Sequence, residues 1–109
     1  MRAGRLRHRV TICRLAESRD AVGGVTETWQ ALKTVWASVE PVTAREYVEH
    51  VQVHSDITTS VLMRVQPDVT VRQADRLQFR GKWIEIVAPP IDRDKRGIHL
   101  ELLCREIDP

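Results

Sequence analysis

The chain has 109 residues, of which 42% are hydrophobic and 29% charged, with five glycines and five prolines. This length and composition predict one compact domain, residues 1–109, and exclude two. No stretch approaches the ~20 consecutive apolar residues of a membrane span, and the basic N-terminus lacks the apolar core of a signal peptide, so we expect a soluble protein that is not secreted and does not bind a membrane.

Charge is nearly balanced but unevenly distributed. The formal net charge is +2, too small for the domain-wide basic excess of most nucleic-acid-binding domains. Four arginines lie in the first nine residues, whereas the middle of the chain is locally acidic, with Glu40, Glu46, Glu49 and Asp56. Two interpretations stay open for the basic end: a contact with phosphate or with an acidic partner, and the solvated face of a first strand.

Apolar residues recur mostly with a period of two, which is typical of half-buried strands. The first strand is predicted at about residues 5–14, and a hairpin is predicted at Arg80-Gly81-Lys82. Together the rows predict five or six strands. The alternating apolar rows are Leu6, His8, Val10 and Ile12; Val35, Ala37 and Val39; Ile57, Thr59, Val61, Met63 and Val65; Leu77 and Phe79; Ile84 and Ile86; and Ile98, Leu100, Leu102 and Cys104, which we expect to point inward.

One segment carries a helix signal instead. Thr43-Ala44-Arg45-Glu46 has the form of a capping box, in which the Thr43 hydroxyl and the Glu46 carboxylate each accept from the other's backbone amide. We predict a short helix at about residues 43–51. The run from Val48 to Val53 also alternates, so its later half could be extended.

Two polar stretches are predicted to be long loops, Ala16 to Glu27 and Ala88 to Gly97. Long loops on a small β scaffold often make contacts with partners, although plain solvated connections stay an alternative. The pattern as a whole is mainly β: a small, partly open β-barrel or sandwich of five to six antiparallel strands with one short helix and long loops.

Catalytic constellations are not evident. His50 and His54 have a helical spacing suited to a metal, but no third ligand is apparent, so an exposed polar face is the better interpretation. Cys13 and Cys104 are too few for a disulfide framework or a zinc site, and we expect small core side chains in a reducing compartment. We therefore expect no enzyme, no metal and no cofactor.

Nucleic-acid binding has weak support beyond the basic end. Trp29, Trp36 and Trp83 could stack on bases, but tryptophan in small β domains more often fills a core edge or a subunit contact. A small nucleic-acid-binding β-barrel that uses the basic N-terminal strand stays the alternative function.

A set of short blocks, in this order and spacing, resembles the head–tail joining proteins of tailed bacteriophages, also called head-closure, stopper or head–tail adaptor proteins. The resemblance covers nearly the whole chain. The blocks are Gly-Arg-Leu-Arg-His-Arg-Val-Thr-Ile (4–12), Arg-Asp-Ala-Val-Gly-Gly-Val-Thr-Glu-Thr-Trp (19–29), Val-Trp-Ala-Ser-Val-Glu-Pro (35–41), Arg-Glu-Tyr (45–47), Phe-Arg-Gly-Lys-Trp-Ile-Glu-Ile (79–86) and Leu-Glu-Leu-Leu-Cys (100–104).

The resemblance implies a small non-enzymatic β-barrel of a phage or prophage. Family members form a homo-oligomeric ring below the portal and its adaptor, help to retain the packaged DNA, and receive the tail through a tail terminator or tail-completion protein. Genomic DNA is implied only as the content of the channel. The free protein could be a monomer, and assembly would take place in the bacterial cytoplasm, with the virion head–tail interface as the final location.

The resemblance also assigns candidate contact residues. The segment that projects toward the channel in relatives corresponds to about Pro41 to Asp56, with Arg45, Glu46 and Glu49 as its candidate residues. Relatives often carry glycine where Ala44 stands, and Pro89-Pro90 stiffens the last loop, which leaves the exact partner surfaces open. The candidate interaction loops contain Glu17, Arg19 and Asp20, and then Asp92, Arg93, Asp94, Lys95 and Arg96.

Overall fold

The computed structural model describes residues 6–42, 57–93 and 97–107. It contains seven strands: β1 His8–Arg19, β2 Val25–Pro41, β3 Thr59–Arg64, β4 Arg76–Phe79, β5 Lys82–Ile86, β6 Ile91–Arg93 and β7 His99–Ile107. All pairings are antiparallel, and their order is β3-β2-β1-β4-β5-β7-β6. The predicted mainly β class is confirmed, with seven strands where five or six were expected. The predicted helix at 43–51 lies outside the described residues.

The sheet closes on itself because β3 also pairs with β7. Cys104 has Thr59 of β3 on one side and Ile86 of β5 on the other, so β7 joins the two ends of the sheet. The short strand β6 pairs with residues 99–101 of β7, along the same edge as β5. The interior of this small barrel is filled by side chains, as expected for so few strands.

The core follows the alternation of the sequence. Inward side chains from six strands, all but β6, form one cluster with a residue of the segment before β4: Val10, Ile12, Val35, Ala37, Val61, Met63, Val71, Leu77, Ile84, Ile86, Leu102 and Cys104. Both cysteines are buried and free, which agrees with their predicted role as small core side chains. Two residues of the predicted inward rows are wrong: Val65 is 38% exposed and Ile98 is 50% exposed, because each lies just beyond the end of its strand.

Strand β3 is buried on both faces. Val61 and Met63 face the main core, while Leu62 is also buried on the opposite face. A second small cluster, formed by Ile57, Ala88 and Leu103, lies outside the barrel interior. Leu62 is the residue that departs from the alternation of β3 in the sequence, as expected where a strand is buried on both faces.

The predicted β4–β5 hairpin is confirmed. Arg80 and Gly81 connect Phe79 to Lys82, and both have positive φ, 51° and 78°. Two consecutive residues with positive φ are typical of a type I′ turn, whose twist matches that of the flanking strands. Lys82, expected in the link, already belongs to β5.

The prediction of a long loop from Ala16 to Glu27 is wrong, and the prediction for Ala88 to Gly97 is correct only in part. Ala16 to Arg19 continue β1, and Val25 to Glu27 begin β2, so only residues 20–24 form the turn. The strands there are exposed on both faces, so no apolar alternation marks them in the sequence. The second predicted loop contains β6, which adds to the edge of β7.

Candidate functional site

The outer half of the β1–β2 hairpin projects from the barrel, and we call residues 14–30 the arm. Strand β1 pairs with β4 only through Cys13, and β2 pairs with β3 only from Ala37 onward. Every residue from Glu17 to Thr28 is exposed. The longest dimension of the molecule is 52 Å, against 30 and 25 Å for the others. The arm therefore offers surface on both faces and along both edges.

The turn at the end of the arm is held in one shape by Asp20. Its Oδ1 accepts hydrogen bonds from the backbone amides of Val22, at 3.0 Å, and Gly24, at 2.7 Å. Gly23 has φ +85°, a conformation that side chains disfavour. A Cβ on Gly24 would lie 2.7 Å from Asp20 Oδ2. The result is a rigid turn that presents Val22, which is 91% exposed.

Two like charges face each other on the arm. Glu17 of β1 lies directly opposite Glu27 of β2, and both are exposed. Within the described part of the chain, neither carboxylate has an ion-pair partner. Like charges directly opposite each other weaken a strand pair. Folding therefore does not explain this pair, which leaves a local anionic site on the arm.

The root of the arm is fixed by a buried carboxylate. Asp75, 2% exposed, accepts hydrogen bonds from Arg14 Nε and Nη2, each at 2.9 Å, and from the Arg72 amide, also at 2.9 Å. The Asp75 carboxylate raises the pKa of the Arg14 guanidinium. Arg14 also donates to the Thr70 carbonyl at 2.8 Å. This bidentate pair joins the base of the arm to the segment before β4.

Aromatic contacts support the other face of the root. The Arg76 guanidinium lies 4.5 Å from the Trp29 ring centre, and the rings of Trp29 and Trp83 are 6.1 Å apart. Trp29 and Trp83 are half-buried, so they stiffen the junction between arm and barrel.

A concave groove of about 510 Å³ lies further along the same hairpin. Its apolar part is made by Leu6 and the exposed face of Trp36, which is 53% exposed; Val35 also borders the groove, but its side chain belongs to the barrel core. Its polar part contains three cations, Arg9, Lys33 and Arg64, with Thr34 and Gln66 completing the lining. We call this surface the basic groove.

The cations of the basic groove are differently engaged. The Arg9 guanidinium stacks over Trp36, 4.9 Å from its ring centre. Lys33 Nζ contacts Asp68 Oδ1 at 2.8 Å, which lowers the pKa of that carboxyl. Among the described residues, neither Arg9 nor Arg64 pairs with a carboxylate. The basic groove thus retains positive charge beside an apolar wall.

The two predicted interaction loops lie at different places. Glu17, Arg19 and Asp20 are in or beside the turn at the end of the arm. Asp92 and Arg93 belong to β6. In the strand register, Arg93 of β6 lies beside His99 of β7, and His99 lies beside Arg64 of β3. The second segment is therefore near the basic groove. Asp94, Lys95 and Arg96, and the channel candidates Arg45, Glu46 and Glu49, lie outside the described residues.

Asp92 holds the end of β6. Its two carboxylate oxygens accept from the Gly97 amide at 3.0 and 2.9 Å. Gly97 has φ +68°, which favours glycine. Sequence reasoning singled out Asp20 and Asp92 as contact residues; both carboxylates shape their own turns, and their contacts with partners stay a prediction. The sequence analysis did not identify Arg9, Trp36 and Arg64 as one surface. The position of Trp36 on the outward face of its strand, together with the basic first strand, could have indicated it.

Neither a metal centre nor a membrane helix is seen in the described residues. No group of three or more His, Cys, Asp or Glu side chains there could hold a metal ion. None of the described segments is a helix long and apolar enough to cross a bilayer. The His50 and His54 pair lies outside the described residues.

Both cysteine thiols have raised pKa values. Burial raises the pKa of the Cys104 thiol to about 12. The pKa of the Cys13 thiol is raised mainly by burial and also by the nearby Asp75 charge.

Known proteins are similar to this chain in sequence, in fold or in both. The head completion protein gp7 of Enterobacteria phage HK97 is 30% identical over 110 residues, covering 96% of each chain. The solution structure of protein SF1141 from Shigella flexneri 2a matches with a TM-score of 0.79 and 31% identity, covering 97% of this chain and 96% of that one. A chain of a native gene transfer agent virion has the same fold, with a TM-score of 0.63, 22% identity and coverage of 96% and 98%.

A small β-barrel with these relatives is a head–tail connector protein of a tailed phage or prophage, and it assembles with other virion proteins in the head–tail region of the particle. The sequence profile of the phage head completion proteins matches residues 1–107. The chain belongs to the phage head completion protein family, and the resemblance noted from its sequence blocks is confirmed.

Proposed function

We propose that the protein forms a ring beneath the portal and its adaptor, seals the DNA channel and presents the attachment site for the tail. The observation that carries this proposal is the family match over residues 1–107, which spans both the barrel and the arm. The head completion protein gp7, similar over 96% of the chain, supports the same role. Ring assembly takes place in the host cytoplasm before the tail is joined.

Three surfaces divide the contacts with partners. The arm, with Glu17, Arg19 and Asp20, and the segment from Asp92 to Arg96 contact the adaptor, the tail-completion protein or the next subunit. Arg45, Glu46 and Glu49 line the channel, where carboxylates repel phosphate and keep the genome from binding tightly. The whole chain acts as one domain.

The protein works by binding and not by catalysis. The described clefts hold an aromatic and cationic groove, which suits recognition, and the buried thiols have raised pKa values, which makes them poor nucleophiles. Neither a cofactor nor a metal takes part in this role. Genomic DNA is the content of the channel.

Complementation of heads tests the proposal. DNA-filled, tail-less heads from a phage that lacks this protein are incubated with the purified full chain and then with free tails. We expect the protein to bind the heads and to restore infectious particles. Heads that bind no protein, or that stay unable to accept tails after binding it, would refute the connector assignment at this interface.

Measured binding to free DNA distinguishes the connector role from the alternative nucleic-acid-binding role. A nucleic-acid-binding barrel loses affinity steeply as salt rises, with a slope that reports the number of phosphates neutralised. We expect only weak binding of free duplex and single-stranded DNA at physiological salt. Tight, strongly salt-dependent binding, together with failed complementation, would favour the nucleic-acid role.

A further inference from the structure

The end of the arm and the basic groove lie on one hairpin but cannot meet within one chain. Val25 begins β2 at the end of the arm, and Val35 lines the groove further along the same strand. At ~3.3 Å per residue, a strand of this length holds the two surfaces about 30 Å apart. The paired strands are stiff, so the arm cannot fold back onto its own groove. Any contact between these two surfaces joins different copies of the chain.

The end of the arm has an exposed valine at its tip, two opposed carboxylates behind it and one exposed cation, Arg19, between them. Val22 is 91% exposed at the centre of a turn that Asp20 holds in one shape. The opposed carboxylates of Glu17 and Glu27 lie behind it. A preformed turn loses little conformational entropy on binding, which favours it as an insertion element.

The basic groove has the complementary character. Trp36 and Leu6 offer an apolar wall against which a small aliphatic side chain can pack. Arg9 and Arg64 flank this wall and have no carboxylate partner among the described residues. A protein segment with an apolar tip and two carboxylates would cover this apolar surface and form ion pairs with both guanidinium groups.

DNA fits the basic groove less well. A stacked base would need a whole open face of Trp36, and the Arg9 guanidinium stacks on that ring, whereas a small aliphatic side chain needs only part of the exposed ring surface. The free N–H edges of a stacked guanidinium still bind a carboxylate. The chemistry therefore favours a protein segment with few, well-placed acids.

We propose that the end of the arm of one copy inserts into the basic groove of the next copy, with Val22 against Trp36 and the Glu17–Glu27 pair against Arg9 and Arg64. This inference rests on the proposed ring and names the contact that closes it. A contact between two different surfaces of identical subunits is heterologous, and it forms a closed ring when the rotation between copies fits.

Cross-linking between variants that each carry one added cysteine tests the contact. Val22→Cys is mixed with Gln66→Cys, whose side chain lines the groove, under mild oxidation. The native Cys13 and Cys104 are buried and stay outside the reaction. We expect the mixed disulfide to exceed that of a control pair, Val22→Cys with the exposed Gln78→Cys, by about tenfold or more, because docking raises the effective concentration. Equal yields from both pairs would overturn the proposal.

A charge exchange tests the pairing itself. Glu27→Arg and Arg64→Glu are each expected to lower the disulfide yield to the level of the control pair. The two changes combined in one chain restore opposite charges at every contact and should recover the yield. Glu27→Arg combined with Arg72→Glu, an equal charge change at an exposed site away from the groove, should not recover it. Recovery in both combinations, or in neither, would contradict the assigned contact.

The head-binding assay distinguishes failure of this contact from failure of the ring proposal. Protein that completes heads without any specific Val22–Gln66 disulfide, free or on heads, would leave the connector role intact and refute the arm-to-groove contact. Protein that forms the disulfide but never binds heads would retain the contact and refute the proposed role. Loss of head binding by Arg64→Glu without any self-contact would assign the groove to another virion protein and overturn the inference.

Discussion

At the scale of single residues, Asp75 is a buried polar side chain that joins the base of the arm to the segment before β4. It is 2% exposed and accepts three charge-assisted or backbone hydrogen bonds from Arg14 and Arg72. Asp75→Ala would leave the Arg14 guanidinium without its partner and should lower the free energy of unfolding by about 2–3 kcal/mol.

Urea unfolding of the full chain measures this loss. The matched control is Asp68→Ala, which removes an ion pair of similar length at an exposed site. We expect a much smaller change there, because solvent screens such pairs. Equal losses in the two variants would contradict the role given to burial.

Cys104 makes a pH-dependent contribution to stability. Burial raises the pKa of its thiol from 9.0 to about 12. Below pH 9 the thiol is neutral in both the folded and unfolded chain, so its contribution is fully present. Between pH 9 and about 12 only the unfolded chain loses this proton, so the free energy of unfolding falls as pH rises.

The comparison of wild type with Cys104→Ala isolates this effect from lysine and tyrosine titration. We expect the stability difference between the two proteins to shrink as pH rises above 9. Native protein should also resist alkylation by iodoacetamide at pH 8 and react rapidly once unfolded. A difference in stability that stays constant up to pH 11 would show that the thiol is not protected by burial.

At the scale of elements, the β4–β5 turn sets the register of the hairpin through two residues with positive φ. Gly81→Val places a β-branched side chain at φ +78° and should cost about 1–2 kcal/mol. Arg80→Asn keeps a polar side chain and better tolerates φ 51°, so it should stabilise the protein by less than about 1 kcal/mol.

Thermal unfolding of these two variants and wild type gives the order directly. The expected order of melting temperature is Arg80→Asn, wild type, Gly81→Val. A Gly81→Val protein as stable as wild type would mean that the turn can adopt another type without loss.

The element that sequence reasoning misjudged most is the arm. Asp20, Gly23 and Gly24 correctly marked a turn, but the strands on either side of it were assigned to a loop. Period-two alternation reports burial of one face, and residues 17–28 bury neither face. These residues are strands only because their backbones pair, and backbone pairing does not require a particular pattern of polar and apolar side chains.

At the scale of the whole molecule, stability and assembly reside in separate parts. The main core draws no residue from the arm beyond its root. Ala16 and Thr28 are directly paired, so an Asn-Gly turn between them would replace residues 17–27 and close a shorter hairpin. We expect the shortened chain to unfold at nearly the wild-type temperature and to lose the ability to complete heads.

Circular dichroism and the head-complementation assay together check this separation. A full-length chain with Gln78→Ala, an exposed change on the barrel wall, serves as the control that keeps both properties. A shortened chain that still completes heads would show that the arm is dispensable. A shortened chain that fails to fold would place the arm in the folding unit.

The sequence by itself determined the class of fold, the core and the family. Alternation at Val10, Ile12, Leu102 and Cys104 is enough to assign inward faces, because side-chain direction in a strand has a strict period of two. The ordered blocks were enough for the family, since their combined order and spacing is far more specific than any one of them.

Only the tertiary structure decided how the strands close and which exposed residues share a surface. Nothing local in the chain indicates that β3 pairs with β7, since that pairing joins segments distant in sequence. The same is true of the basic groove, where Arg9, Trp36 and Arg64 come from three strands. Surface residues face water in any strand register, so their polarity does not predict which residues lie beside them. Long-range pairing brings them together, and it is the pairing that makes an arm and a groove from an otherwise ordinary polar surface.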